Sequence, residues 1–171
     1  VEAHWTLGNT LFWLAEFPTT YDELNKAIEI YDPERHHIHA YIYGQDPGVA
    51  AHCYQSYCCW YLGYLDKAYA ENEAAIELAA SLRHPFSIGW SLAFRFMVRM
   101  FGNEYTAAKE AADETIVFCS EQAYPFWLIA AMMVKGWAVS HLEDPKAGIP
   151  LIEQGLAGWD MIGSIIVRPM F

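Results

Sequence analysis

The feature that most constrains this chain is an internal repeat, because self-similarity at a long period decides the fold before any single helix is placed. Three segments align well: LFWLAEFPTTYDELNKAIEI (11–30), CWYLGYLDKAYAENEAAIEL (59–78) and RMFGNEYTAAKEAADETIVF (99–118). A fourth, weaker copy is VSHLEDPKAGIPLIEQGLAG (139–158). The first spacing is longer than the two that follow, which are equal. A bend residue occupies Ala15, Gly63, Asn103 and Glu143; a small residue follows at Thr20, Ala68, Ala108 and Gly148. Near the end of each copy stand Ala27-Ile28, Ala75-Ile76, Thr115-Ile116 and Gly155-Leu156. The pattern predicts bends near 15–19, 63–66, 102–105 and 143–145, with Gly63 and Ala68 at a close helix–helix contact.

Start signals give the same division. Asp46-Pro47, His84-Pro85 and Tyr124-Pro125 each put a proline ahead of an apolar run, where its missing N–H leaves no helical partner wanting. Asp144-Pro145 and Asp22 suit the starts of second helices, where carboxylates meet the positive helix end. No useful period-2 stretch is present, so about eight long helices in antiparallel pairs are expected, with units at approximately 3–33, 47–82, 86–121 and 126–160. The segment DPERHHIHAYIYGQD (32–46) reads as irregular and accounts for the longer first spacing.

The two helices of a unit differ in kind. No charged residue falls between Pro47 and Leu62, only Arg95 and Arg99 between Phe86 and Phe101, and only Lys135 between Phe126 and Leu142. The second helices hold most of the acid, such as Glu71, Glu73 and Glu77 or Glu110, Asp113 and Glu114. A helix apolar all round is buried and a half-charged one lies at the surface, so first helices are expected inside and second helices outside.

Leu7-Gly8, Leu11, Ala15, Phe17, Leu24, Ala27-Ile28 and Asp32-Pro33 resemble a tetratricopeptide unit. That resemblance implies an all-α fold: an α-solenoid, wound as a right-handed superhelix, of about four tetratricopeptide-like hairpins. Later units lose the Leu-Gly step and stretch beyond the strict tetratricopeptide length, as in a longer, degenerate variety. LGNTLFWLAEF (7–17), IYDPERH (30–36), YGQDPGVA (43–50), LGYLDKA (62–68), HPFS (84–87), YPFWL (124–128) and GWAV (136–139) resemble the C-terminal helical-repeat region of bacterial class III adenylate/guanylate cyclase–AAA ATPase regulators. The likeness implies a scaffold or sensor region, not the chemistry of those catalytic domains, and no GxxxxGK[ST] loop is present.

In the tetratricopeptide arrangement the first helices line a concave groove. Placed on it, the first unit directs Trp5, Asn9, Phe12 and Trp13 inward, and the second Cys53, Tyr57, Trp60 and Tyr61. The third gives Ala93, Met97, Met100 and Phe101, and the fourth Met133, Trp137, Ser140 and His141, with Trp90 one turn before Ala93 as a further anchor. Aromatic residues and Met dominate binding hot spots and adaptable surfaces. The competing reading is ordinary core, since a one-residue error of register turns half of these side chains inward. Chaperone-binding members of the family read a peptide carboxylate with Asn and Lys; here Trp5 stands where the Lys is expected, which excludes that peptide class.

Composition narrows the partners. Hydrophobic residues make up 54% and charged residues 18%, below the roughly 25% of an average domain, so some apolar surface is expected to be shared with a partner. A formal charge of −11 argues against nucleic acid and against an anionic membrane. The apolar runs break well before about 18 residues, so no membrane span is expected. Cys53, Cys58, Cys59 and Cys119 form no CxxC pair, which suits a reduced, cytoplasmic setting. His36, His37 and His39 form an HHxH string, but no second ligand pair accompanies it, so no metal or other cofactor is expected. No catalytic constellation is apparent.

The function expected is therefore a non-catalytic protein-interaction scaffold, its partner a protein, a peptide or a second copy of the chain. The alternative is a helical domain sensing a small-molecule effector. Both ends read as cuts in a longer array. GSIIVRPMF (163–171) reads as the start of a further helix whose Ile165, Ile166, Val167, Met170 and Phe171 either drive dimerisation or fold back on the fourth unit.

Overall fold

A computed structural model describes residues 1–163. Among these residues there is no strand. The helices are α1 (Glu2–Trp13), α2 (Phe17–Ile30), α3 (Pro33–His36), α4 (His39–Tyr43), α5 (Pro47–Tyr61), α6 (Leu65–Leu82), α7 (Pro85–Phe101), α8 (Tyr105–Gln122), α9 (Pro125–Leu142) and α10 (Pro145–Met161). The fold is all-helical, with helices packed chiefly against neighbours in sequence. The expected further helix from 163 onward lies outside the described residues from 164.

The repeat columns become visible as bends. After α1, the Glu16 N–H bonds the Leu11 carbonyl at 3.0 Å and the Ala15 N–H bonds that of Phe12 at 3.0 Å. The same pair of bonds recurs at Tyr64/Cys59 with Gly63/Trp60, and at Glu104/Arg99 with Asn103/Met100. This is the Schellman closure, which places one residue in the left-handed region and satisfies the last helical carbonyls. That residue is Ala15 (φ 61°), Gly63 (φ 84°) and Asn103 (φ 56°). Glu143, in the fourth copy, departs from the motif with φ −123°.

Several expectations need correcting. Gly63 is not at a helix contact: a methyl group there would meet nothing within 4 Å, and its role is the left-handed turn. Ala68 is fully buried as expected. Asp22 does not start a helix, because α2 already begins at Phe17 with Pro18 in its first turn. The segment 32–46 is not irregular throughout, since α3 and α4 occupy most of it. Asp32 and Asp144 do cap, accepting from the backbone N–H groups of Glu34 and Lys146.

The chain divides into two compact units, Val1–Phe94 and a second beginning at Arg95, with the division inside α7. In unit 1, α1 packs on α2, α2 on α5 and α5 on α6. One core cluster joins Trp5, Leu24, Ala27, Ala50 and Ala51; another joins Val49, Cys53, Ala75, Ala79 and Phe94. Gly8 is buried where an added methyl would lie 2.7 Å from Leu24 Cδ2, which explains the Leu-Gly step. Two cross-helix pairs occupy equivalent positions in the first two copies: His4 Nδ1 to Glu23 Oε2 at 2.6 Å and His52 Nδ1 to Glu71 Oε2 at 2.7 Å.

A buried polar knot organises the start of α5. Asp46 Oδ1 accepts from the N–H groups of Gly48 (2.9 Å) and Val49 (3.0 Å), and Oδ2 accepts from the Tyr31 hydroxyl (2.9 Å). Ser87 Oγ accepts from the Asp46 N–H at 3.2 Å and lies 2.9 Å from His84 Nδ1. Burial raises the Asp46 carboxyl above its ordinary value, while the bonds from Val49, Tyr31 and Gly48 pull it back. Desolvation lowers the neighbouring His84.

In unit 2, α8 packs on α9 and α9 on α10. Arg95 Nη1 reaches Glu114 Oε2 at 2.7 Å, and Asp113 is held between Lys109 and Lys135. First helices outdo second helices in buried residues for α5 over α6, α7 over α8 and α9 over α10, as the charge pattern predicts, but not for α1 over α2. No described helix is long and apolar enough to cross a membrane.

Candidate functional site

The first helices of unit 1 carry a connected band of aromatic rings. Stripes at helical spacing place them: Tyr54, Tyr57 and Tyr61 fall on one side of α5, and Trp90 and Phe94 are one turn apart on α7. At one end of the band, Tyr61 stacks on Phe17 with centroids 4.5 Å apart and an interplanar angle of 6°. Phe12 meets Trp13, Tyr54 and Tyr61 at 5.6, 5.3 and 5.8 Å. Tyr57 stacks on Phe94 at 4.1 Å, Phe94 stacks on Trp90 at 6.3 Å, and Trp90 meets Phe86 edge-on at 5.7 Å.

Desolvation raises the Tyr54 phenol, with Asn9 and Trp13 opposing the rise; burial raises Tyr57 as well, so both rings stay neutral.

Of the seventeen groove residues expected from sequence, ten lie in unit 1 and seven, Met97, Met100, Phe101, Met133, Trp137, Ser140 and His141, in unit 2. Trp5, Phe12, Cys53, Ala93 and Met133 are buried, so these five serve as core rather than offered surface. Asn9, Tyr57, Trp60 and Trp90 are half-buried, and Met97, Phe101 and Trp137 in unit 2 are so too. Trp137 packs on Tyr105 and His141 there, each 5.0 Å away. Of the groove residues in unit 1, the side chains most open to solvent are Trp13 at 61% and Tyr61 at 48%.

Sequence reasoning missed Tyr54 and Phe17, which bridge the band, and Leu14, Tyr64 and Leu65, which extend its exposed end. Tyr54 is legible as the residue one turn before Tyr57. Leu14 and Tyr64 flank Ala15 and Gly63, and both are more than half exposed. Beside them lies an open depression of about 420 Å³ lined by Pro18, Tyr21, Asp22, Leu62, Tyr64 and Lys67. A second exposed apolar stretch, Ile38, Tyr41, Ile42 and Tyr43, sits on and before α4.

The other chemistry-bearing groups have partners of their own. His36 Nδ1 accepts from the Asp32 N–H, His37 Nδ1 lies 2.8 Å from the Pro33 carbonyl, and His39 Nδ1 lies 2.9 Å from Glu2. Among the described residues no group of three His, Cys, Asp or Glu side chains is arranged to hold a metal ion. All four cysteines are buried; desolvation pushes Cys58 up to about 12, Cys59 and Cys119 up to about 11, and Cys53 well above the ordinary thiol value. Such thiols stay protonated at neutral pH and are poor nucleophiles. No protein-family model matches the chain, and no curated protein matches it at a significant level.

Proposed function

We propose that this chain is a non-catalytic protein-interaction scaffold whose contact surface is the aromatic band of unit 1. The observation that carries the reading is the exposure of Trp13 and Tyr61 at the end of a ring network held in place by packing. Rigid aromatic side chains lose little rotamer freedom on binding and supply large contact areas, which is why they dominate hot spots. Trp60 and Trp90, half-buried beside them, extend the surface.

The repeat supports placing these hairpins among tetratricopeptide-like α-solenoids, right-handed in their winding. The recurring Schellman bends and the His4–Glu23 and His52–Glu71 pairs are the support for that placement. By the strings quoted above, the chain is part of, or derived from, a multidomain signalling regulator. A cytoplasmic setting accords with four free, buried cysteines.

The test is affinity capture from the native host with the parent and with Trp13→Ser/Tyr61→Ser. A partner retained by the parent and lost by a variant with an unchanged circular dichroism melt supports the scaffold. Equal retention by both contradicts it. A metabolite that shifts tryptophan fluorescence, with no protein retained, favours the effector-sensing alternative.

A further inference from the structure

The end of unit 1 where α1 and α5 finish combines exposed rings with unbalanced negative charge. Residues 1–94 hold 12 of the 21 acidic and 4 of the 10 basic side chains, so −8 of the formal −11 sits there. Three of those carboxylates are exposed near Trp13, Leu14, Tyr61 and Tyr64: Glu16 at the bend after α1, Asp66 in the first turn of α6, and Asp22 within α2 on the lining of the depression beside Tyr64. Glu16 makes no side-chain bond to the helix it precedes. Lys67, the cation lining the depression, is already used: its ammonium lies 4.9 Å from the centroid of the Tyr21 ring and donates to the Tyr21 hydroxyl.

That contact is a hydrogen bond to the ring's hydroxyl, so the case for a cation on the neighbouring rings rests on their own exposure and on the carboxylates beside them. A ring face attracts an ammonium or guanidinium through its quadrupole, and Arg stacks on such faces more often than Lys. Nearby carboxylates add long-range attraction that raises encounter rates and rejects acidic partners. An apolar partner without charge would use the rings but gain nothing from Glu16, Asp22 and Asp66.

Resting on the scaffold reading, we infer that this end of unit 1 docks a cationic apolar peptide segment. Its Arg or Lys side chains sit over the Trp13, Tyr61 and Tyr64 rings, and Glu16, Asp22 and Asp66 meet their charge.

Calorimetric titration of the 171-residue chain with three capped octapeptides tests this: alternating Arg and Leu, Gln and Leu, and Glu and Leu. The Arg peptide is expected to bind at least tenfold tighter than the Gln peptide and the Glu peptide weakest. The variant Glu16→Gln/Asp22→Asn/Asp66→Asn should weaken the Arg peptide at least fivefold. Neutralising three exposed acids of unit 2, Glu110→Gln/Glu121→Gln/Glu153→Gln, should change it less than twofold. Equal loss from both triple variants would mean diffuse attraction to an acidic protein and overturns the inference, as does absence of Arg-peptide binding. Equal affinity for the Arg and Gln peptides, with both lost in Trp13→Ser, also overturns the cationic partner while leaving the aromatic surface as the contact site.

Discussion

The first hairpin and the last among the described residues use the same two repeat columns in opposite ways. In α1–α2 the columns hold Gly8 and Thr20, and the gap over Gly8 is filled by the Leu24 side chain, 2.8 Å at Cγ from where a methyl would stand. In α9–α10 they hold Gly136 and Gly148, and backbone meets backbone: a methyl on Gly148 would fall 2.2 Å from the Gly136 carbonyl and 2.0 Å from Ser140 Oγ. Gly155 tightens the same hairpin against Met133, where a methyl would lie 2.2 Å from Cγ. One register thus supports two closures.

The largest expected effect breaks the glycine closure. Gly148→Val overpacks backbone that cannot move aside and should cost about 3 kcal/mol, read from denaturant unfolding. At Thr20, the same column of the first hairpin, Thr20→Val keeps the volume and removes a buried hydroxyl that has no hydrogen-bond partner among the described residues, so it should cost under about 1 kcal/mol. A Gly148→Val chain as stable as the parent would end the contrast.

Next comes the polar knot. Asp46→Ala strips acceptors from Tyr31, Gly48 and Val49 and should cost about 2 kcal/mol. Asp46→Asn keeps an acceptor for the helix cap and should cost much less at neutral pH. Because the folded carboxyl lies above its ordinary value of 3.8, its protonated form favours the fold. That contribution is present below the unfolded value and is lost as pH rises through the folded one. Unfolding free energies of parent and Asp46→Asn should therefore move in the variant's favour as pH rises from about 4, and a constant difference would contradict the account.

Ala68→Leu, fully buried in the small-residue column, should cost on the order of 1–3 kcal/mol by thermal melt. The bends give the smallest effects. Ala15 holds φ 61° with a side chain, so Ala15→Gly should stabilise by about 0.5–1 kcal/mol; Gly63→Ala at φ 84° should lose a similar amount.

These positions also show how far the amino-acid pattern reaches. The bends are legible because a bend residue and a small residue recur at the same offsets in every copy, behind prolines that mark the helix starts. Gly63 misleads because a small residue serves either a close contact or a left-handed turn, and only backbone angles separate the two. The helices α3 and α4 run four and five residues, too short for a 3.6-residue period to register. The helices carrying the aromatic band are legible, but not their rotation. A single step along α1 separates buried Phe12 from exposed Trp13, and the same ambiguity of rotation hides that Met133 lies in the core. The His4–Glu23 and His52–Glu71 pairs are within reach, since both members recur at the spacing of the first two copies.

Photo-crosslinking in the native host tests the central claim most directly. A benzoylphenylalanine replaces Trp13, Tyr61 or, as a control on unit 2, Val117, which is itself 61% exposed. The account predicts one adduct of the same mass from positions 13 and 61 and none from 117. Equal adducts at 117, or none at 13 and 61, would contradict an interaction surface on the aromatic band of unit 1.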